Sequence, residues 1–207
     1  FIDELAHAAG ADPVQYRRDF LGAPRIIGDP KSRGPYNTGR MRAVLDKAAA
    51  MAGWGRKLPK RTGLGVAFHF SHLGYFANVV EASVAADGTV KVHKVWVAGD
   101  IGRQIVNPAG ALNQVQGSIL DALGACMGHE ITFADGAIEQ RNFGDVPMLR
   151  NEQIPPIEVA FLTPDYPVTG LGEPAYPAVA PALVNAIFAA TGVRLRKLPL
   201  DISALKA

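Results

Sequence analysis

The fold is decided by residues 76–97, which read FANVVEASVAADGTVKVHKVWV. Two valine-rich runs flank Ala86-Asp87-Gly88, and an Asp-Gly pair between β-like runs is a strong signal for a tight hairpin. The stretch therefore predicts two antiparallel strands, Phe76 to Ala85 and Thr89 to Val97, joined by that turn.

Further strands are predicted on both sides of this hairpin. Val66, Phe68 and Phe70 alternate with smaller or polar residues, which is typical of a strand. Downstream, the sequence predicts a second hairpin from Glu130 to Phe133 and Ile138 to Asn142 across Ala134-Asp135-Gly136, a strand from Ile157 to Leu162 and a last strand from Arg194 to Leu198. Because hairpins outnumber strand-helix-strand units, we expect an α+β fold with a mixed or antiparallel sheet packed by several helices.

Apolar residues at helical spacing, with their capping residues, predict five helices. Two short helices cover residues 3–9 and 13–20 with Asp12 as N-cap of the second, the third runs from Asn37 or Thr38 to Gly53, the fourth begins at Asn107-Pro108, and the last follows residues 172–174 and ends at Gly192. Residues 22–38 are rich in Gly, Pro and charge, which indicates a linker or mobile loop. We therefore predict N-terminal helices and a loop in residues 1–38, linking to an upstream part, and a C-terminal domain in residues 39–207.

The composition of the 207 residues argues against several classes of protein. A hydrophobic content of 48% is ample for a core, and the net charge of +2 comes without a long basic run or an aromatic platform, so we predict no nucleic-acid surface. No run of about 18 apolar residues occurs, so no membrane span is predicted. The chain opens on Phe1 without a methionine or a recognisable signal sequence, which leaves cytoplasm and periplasm both open.

No metal site made of protein side chains is predicted. Cys126 is the single cysteine, which excludes an internal disulfide, and its helical core spacing indicates a small buried side chain. His69 and His72 are three residues apart, but the alternation around them predicts a strand, on which they would point to opposite faces.

One carboxylate stands in an informative local setting. Glu173 lies between Gly172 and Pro174, after a strand-like run and just before an apolar helix. Glycine permits backbone angles closed to other residues, and proline disfavours a helical conformation at the residue before it. Such a fixed, non-helical backbone suits a working acid or base, whereas the alternative interpretation is an ordinary turn glutamate near a helix start.

The fourth predicted helix carries a polar face opposite its apolar stripe. Gln114, Gly117, Ser118 and Asp121 stand at positions i, i+3, i+4 and i+7 of that face. A glutamine side chain offers both donors and an acceptor, and a glycine one turn later lets a ligand approach closely. The combination suits a polar heterocycle, and the alternative is an ordinary solvated helix face.

Six elements of the sequence, in this order, are similar to those of a known family: Gly74 to Ala82 (GYFANVVEA), Asp87-Gly88, Asp100-Ile-Gly102, Asn107-Pro108, Gln114-Val-Gln-Gly117 and Gly172-Glu-Pro174. The order resembles the C-terminal molybdopterin-binding region of the xanthine dehydrogenase/aldehyde oxidase family, the molybdenum hydroxylases. Residues 5–13 and 185–192 are similar to the isoquinoline 1-oxidoreductase branch of that family, in its beta chain. Each element is weak alone, but six in order are hard to obtain by chance.

The resemblance implies roles for the two places described above. Glu173 would be the general base in the hydroxylation of an aldehyde or N-heterocycle with water as oxygen source, and Gln114, Gly117 and Gly172 would contact molybdopterin, with its cytosine dinucleotide form as one option. The cofactor itself holds the molybdenum, so the protein supplies no metal ligand. Electrons would leave through [2Fe-2S] clusters of a small partner subunit. We expect Glu173 to lie beside an enclosed cavity.

Two departures from the family pattern keep another interpretation open. Gln116 stands where the family usually has a glutamate, and family members have a much longer subunit with further cofactor-contacting loops. The resemblance therefore implies that this chain supplies part of the pocket beside the remainder of the large subunit, and that alone it folds without binding molybdenum. The alternative is a non-catalytic interaction or assembly module that keeps the fold.

Overall fold

The computed structural model describes residues 1–29, 31–32 and 34–206. Within these residues five α-helices form: α1 (Ile2–Ala8), α2 (Pro13–Leu21), α3 (Thr38–Ala52), α4 (Pro108–Met127) and α5 (Val179–Thr191). The strands of the same residues are β1 (Ile26–Ile27), β2 (Tyr36–Asn37), β3 (Thr62–Ser71), β4 (Gly74–Val84), β5 (Val90–Asp100), β6 (Phe133–Ala134), β7 (Ala137–Ile138) and β8 (Ile157–Leu162).

The centre of the fold is a four-stranded sheet in the order β3-β4-β5-β8. The pairings of β3 with β4 and of β4 with β5 are antiparallel, and β8 pairs in parallel with β5. The predicted hairpin around Asp87-Gly88 is confirmed, with Val84 opposite Val90 and with Gly88 at a φ of 91°. The mixed sheet and the packed helices confirm the predicted α+β class.

Alternate residues of β4 face opposite sides of the sheet and belong to two apolar cores. Tyr75, Ala77 and Val79 pack in one core with α3 and α2, whereas Phe76 and Val80 pack in the other with α4 and α5. The molecule therefore has three layers, with helices on both faces of the sheet. Each large apolar side chain that is fully buried in these cores contributes about 1.5–3 kcal/mol relative to an exposed one.

Two glycines of β3 bring α5 unusually close to the sheet. A β-carbon at Gly65 would lie 2.1 Å from the carbonyl oxygen of Ala182 and 2.2 Å from the amide nitrogen of Ala186. A β-carbon at Gly63 would lie 2.4 Å from the carbonyl oxygen of Ala186. Since no side chain fits between strand and helix here, α5 packs directly against the backbone of β3.

The capping residues predicted from the sequence are confirmed. The side chains of Asp12, Asn37 and Asn107 accept hydrogen bonds from backbone amides in the first turns of α2, α3 and α4. At the other ends, Gly53 and Gly192 adopt the left-handed conformation after α3 and α5. Side-chain caps therefore set the beginning of three of the five helices in the described residues, and a glycine conformation sets the end of two.

Several predicted elements differ in the structure. Residues 22–38, predicted as a linker or loop, contain the paired strands β1 and β2, and the predicted hairpin of residues 130–142 shortens to β6 and β7. His72 lies not in a strand but in the turn between β3 and β4, where His72 and Leu73 both have positive φ, at 51° and 66°. Neither of these two central residues is glycine, so the sequence lacks the usual signal for positive φ at this turn.

The predicted last strand from Arg194 to Leu198 is wrong. Arg194 and Arg196 instead form ion pairs with Asp3 and Glu4 of α1, at 2.7 and 2.8 Å, so the segment runs along helices and not along a sheet edge. The last helix also begins later than predicted, at Val179. Among the described residues, no helix has the length and apolarity needed to cross a membrane.

Candidate functional site

The predicted site residues come together in one open concavity of about 470 Å³ between α4 and the turn before α5. Glu173 and Gly172 line it from the turn, and Gln114 and Gly117 line it from the helix. The complete lining consists of Asn113, Gln114, Gly117, Ser118, Asp121, Gly172, Glu173 and Tyr176. Two stretches that are distant in sequence therefore build a single polar surface.

The turn that carries Glu173 is fixed by backbone contacts. The carbonyl oxygen of Glu173 accepts a hydrogen bond of 2.9 Å from the amide of Tyr176, and Pro174 and Ala175 between them are buried. The carbonyl oxygen of Gly172 accepts a hydrogen bond of 3.0 Å from the hydroxyl of Ser118 on α4. Glu173 lies in a bend, as Pro174 predicts, and its side chain is exposed within the concavity.

The loop from β8 to this turn is attached to the end of β5. The amide of Thr169 donates to the carbonyl oxygen of Ile101 at 2.9 Å, and the amide of Arg103 donates to the carbonyl oxygen of Tyr166 at 3.0 Å. The sheet therefore determines the path of the chain toward Glu173.

The ion pair of Arg40 with Asp100 packs against this loop. The guanidinium of Arg40 donates to both carboxylate oxygens of Asp100, at 2.6 and 2.8 Å, and Asp100 is almost completely buried. The same guanidinium lies 4.5 Å from the ring centres of Tyr75 and Tyr166. A cavity of about 650 Å³ surrounds this group, but because Arg40 and Asp100 are paired with each other, these charges serve the structure of the loop.

Gln114 and Gly117 lie on the exposed side of α4, opposite the buried Val115 and Ile119. A β-carbon added at Gly117 would meet no atom of the described residues within 4 Å. Packing within this chain therefore does not explain a glycine in the middle of a helix, where glycine costs about 1 kcal/mol relative to alanine. Open space beside an exposed amide is what a bound polar group requires.

Gly172 differs from the prediction in one respect. It is not among the glycines with positive φ, so its backbone angle is open to other residues. A β-carbon there would also meet no atom of the described residues within 4 Å. The missing side chain leaves space at the concavity and is not required by the turn.

The enclosed cavity expected around Glu173 is absent from the residues that the structure describes. The concavity is open on one side, and Glu173, Gln114 and Gly117 are all exposed. The local rule predicted a fixed, non-helical backbone at Glu173, where the structure has a bend, but local rules contain no information about what covers the side chain.

Tyr176 and Asn113 complete the lining and were not predicted. Burial, followed by the charge of Asp121 and that of Cys126, raises the pKa of Tyr176 above its ordinary value. A tyrosine hydroxyl is protonated at neutral pH even at its ordinary pKa, so Tyr176 offers the concavity a hydrogen-bond donor. Its position three residues after Glu173, within the same turn, was the available signal.

The remaining candidates lie outside the concavity. Gln116 does not line it. Cys126 is buried in the core, as its spacing predicts, and burial raises the pKa of its thiol to about 11. No three His, Cys, Asp or Glu side chains of the described part of the chain are grouped so that they could hold a metal ion.

Comparison with known proteins agrees with this fold. The structure of aldehyde oxidoreductase from Desulfovibrio gigas superposes with a TM-score of 0.74 and covers 100% of this chain and 40% of that one. The sequence identity of 13% shows a shared fold and no more. The fold is thus that of a domain found within aldehyde oxidoreductases.

Sequence comparison goes further. The family model described as molybdopterin cofactor-binding domain matches residues 37–155. A nicotinate dehydrogenase polypeptide of Pseudomonas putida is 31% identical in an alignment of 226 residues, gaps included, that covers 100% of this chain. The beta chain of isoquinoline 1-oxidoreductase from Brevundimonas diminuta is 30% identical over 203 residues that cover 96% of this chain.

The chain belongs to the molybdenum hydroxylase family, through its molybdopterin cofactor-binding domain. It spans only 18% of the length of the nicotinate dehydrogenase polypeptide and 24% of that of the isoquinoline 1-oxidoreductase polypeptide. The predicted family and its isoquinoline 1-oxidoreductase branch are confirmed as similarities.

The residues of the concavity fit one side of such a cofactor. Gln114 presents an exposed amide with two donors and an acceptor. At Gly117 and Gly172 the missing side chains leave open space beside it. The lining is polar, as a pterin requires, but among the described residues it carries the carboxylates of Asp121 and Glu173 and no basic side chain, so it does not offer a site for a phosphate. The chain thus provides one side of a cofactor-binding site.

Proposed function

We propose that the chain is a C-terminal part of the large subunit of a molybdenum hydroxylase. The enzyme would oxidise a C–H bond of an aldehyde or an N-heterocycle, with water as the source of oxygen. Two relatives, nicotinate dehydrogenase and isoquinoline 1-oxidoreductase, are named for N-heterocycles, which supports an N-heterocycle as one of these classes. The cofactor would be molybdopterin, with the cytosine dinucleotide form as one option.

The observation that carries the proposal is the meeting of Glu173 and Gln114 in one concavity. A carboxylate on a fixed turn lines the same concavity as an amide and an open glycine position on α4, and a β-carbon at that glycine would meet no atom of the described residues within 4 Å. A family that binds molybdopterin through this domain supplies the reason for it.

In the proposed reaction, bound molybdopterin supplies the redox centre that takes up the electrons of the substrate. Glu173 would act as general base and accept the proton that the attacking water gives up, since its carboxylate lines the concavity from a turn held by hydrogen bonds. Gln114 orients the cofactor through its side-chain amide, and Gly117 allows close approach to the helix.

The open side of the concavity defines what else the enzyme needs. The remainder of the large subunit would cover it, exclude water and supply further cofactor contacts, in keeping with the small share of the relatives that this chain spans. A small partner subunit with [2Fe-2S] clusters would carry the electrons away.

The exposure of Glu173 also supports a second candidate, a non-catalytic assembly module that keeps the fold. The glutamine at position 116, in place of the usual glutamate of the family, points the same way. Turnover decides between the two candidates.

The test uses the full-length large subunit assembled with its partner. Molybdenum content and turnover are measured on a panel of aldehydes and N-heterocycles for the wild type and for Glu173→Gln, with Glu130→Gln as a control at an exposed glutamate outside the concavity. We expect Glu173→Gln to keep its molybdenum and to lose turnover by at least about 100-fold, in the range of general base catalysis. Full turnover in Glu173→Gln removes the role of Glu173, and a wild type without molybdenum favours the assembly module.

A further inference from the structure

Asn78 is a polar side chain in the middle of an apolar core. It lies on β4 between Phe76 and Val80, on the face that packs against α4 and α5, and it is completely buried. Its side-chain nitrogen donates a hydrogen bond of 2.9 Å to the carbonyl oxygen of Ala175. Ala175 is the second residue after Glu173, so the centre of the sheet is tied to the candidate catalytic turn.

Stability alone does not account for an asparagine at this position. The other side-chain polar atom, Oδ1 of Asn78, meets no donor among the described residues. A buried polar atom without a partner destabilises the folded state by about 1–3 kcal/mol, which offsets what the single hydrogen bond contributes. The neighbouring positions of the same face are apolar, so Asn78 is a polar exception on the face of β4 that packs against α4 and α5.

The turn around Glu173 is held at three backbone carbonyl groups. The Ser118 hydroxyl donates to the carbonyl oxygen of Gly172, the carbonyl oxygen of Glu173 is bonded within the turn, and Asn78 donates to that of Ala175. Two of these anchors come from rigid elements, α4 on one side and β4 on the other. The backbone on both sides of Glu173 is thereby fixed, while its carboxylate stays in the concavity.

We propose that Asn78 is a positioning residue that fixes the carboxylate of Glu173 toward the cofactor, with Ser118 as the second anchor. This inference rests on the proposed role of Glu173. A catalytic group misplaced by about 1 Å costs on the order of 100-fold in rate, so the hydrogen bond to Ala175 acts on turnover more than on binding. Asn78 itself touches neither substrate nor cofactor.

The test compares two buried asparagines in the assembled full-length enzyme. Asn78→Ala removes the hydrogen bond to Ala175, and the control Asn185→Ala removes a bond of the same kind, from the side chain of Asn185 to the carbonyl oxygen of Val66 at 3.1 Å. Asn185 lies on α5 over β3, outside the concavity, and also accepts from Arg194. The control therefore loses at least as many contacts as the variant under test.

We expect both variants to lower Tm, and only Asn78→Ala to lower kcat, by roughly 10- to 100-fold, with KM and molybdenum content within about 2-fold of the wild type. A merely structural role of Asn78 predicts the same kcat for both variants and overturns the inference. If Asn78→Ala fails to assemble, Ser118→Ala, on the side of α4 that lines the concavity, is measured instead, and an unchanged kcat in that variant overturns the inference equally.

Glu173→Gln separates the two proposals. Full turnover in Glu173→Gln overturns the proposed role of Glu173 as general base, and with it any role in positioning that carboxylate. Loss of turnover in Glu173→Gln together with equal kcat in Asn78→Ala and Asn185→Ala overturns the positioning role alone.

Discussion

Replacing Gly117 by alanine should stabilise the domain and at the same time impair the enzyme. Gly117 lies in the middle of α4, and its added β-carbon would meet no atom of the described residues within 4 Å. Alanine then gains about 1 kcal/mol in helix propensity without steric cost. For a chain of this size, that free energy corresponds to an increase in Tm of about 2–4 °C.

The matched control is Gly124→Ala in the same helix. There the new β-carbon would lie 2.8 Å from ring atoms of His129, so the same gain in propensity is opposed by a steric clash. Urea denaturation and thermal denaturation should therefore show a gain for Gly117→Ala and a smaller gain or a loss for Gly124→Ala.

In the assembled enzyme the effect of Gly117→Ala should have the opposite sign. The methyl group would occupy space that the proposed site reserves for molybdopterin, so we expect the molybdenum content to fall by at least about half. If Gly117→Ala keeps the molybdenum content and turnover of the wild type, the glycine does not serve cofactor binding and the reasoning from open space is refuted.

Two further predictions concern stability. Arg40→Ala leaves the buried carboxylate of Asp100 unpaired and should cost about 3–5 kcal/mol in urea denaturation, whereas Arg103→Ala, which removes an exposed pair with Asp165, should cost less than about 1 kcal/mol. Because burial raises the pKa of Cys126 from 9.0 to about 11, the thiol keeps its proton to a higher pH in the folded state than in the unfolded state. The protonated thiol therefore contributes to the free energy of unfolding fully below pH 9, and about 2 kcal/mol of this contribution is lost as the pH rises to 11. Cys126→Ala should lack this decline. Equal losses for the two arginine variants, or the same alkaline decline in Cys126→Ala, would contradict these accounts.

Much of the fold follows from local sequence rules. The hairpin around Asp87-Gly88 and the caps Asn37 and Asn107 are set by turn and capping chemistry, which acts over two or three residues. The polar face of α4 follows from helical periodicity in the same way. These features could be predicted because their causes lie close together in the sequence.

Other features depend on contacts across the fold. The bond from Asn78 to Ala175 joins residues 97 positions apart, and the parallel pairing of β5 with β8 brings together strands on either side of α4. No local pattern indicates either contact. The predicted strand from Arg194 to Leu198 failed for the same reason, because ion pairs with α1 determine the path of that segment.

The features of the candidate site also fall into these two groups, those with local causes and those that depend on contacts across the fold. Glu173 and Gln114 could be selected from their local settings and from the family resemblance, and the structure places both in one concavity. The exposure of Glu173 and the anchoring by Asn78 could not be predicted, because both depend on which elements pack around the turn.

The most direct test of the central claim is a crystal structure of the complete, molybdenum-loaded large subunit assembled with its partner. We expect the side-chain amide of Gln114 to lie within hydrogen-bond distance of the pterin, about 3 Å, with the carboxylate of Glu173 facing the molybdenum centre from the opposite wall. A cofactor bound elsewhere, with Glu173 and Gln114 both in contact with bulk water, would contradict it.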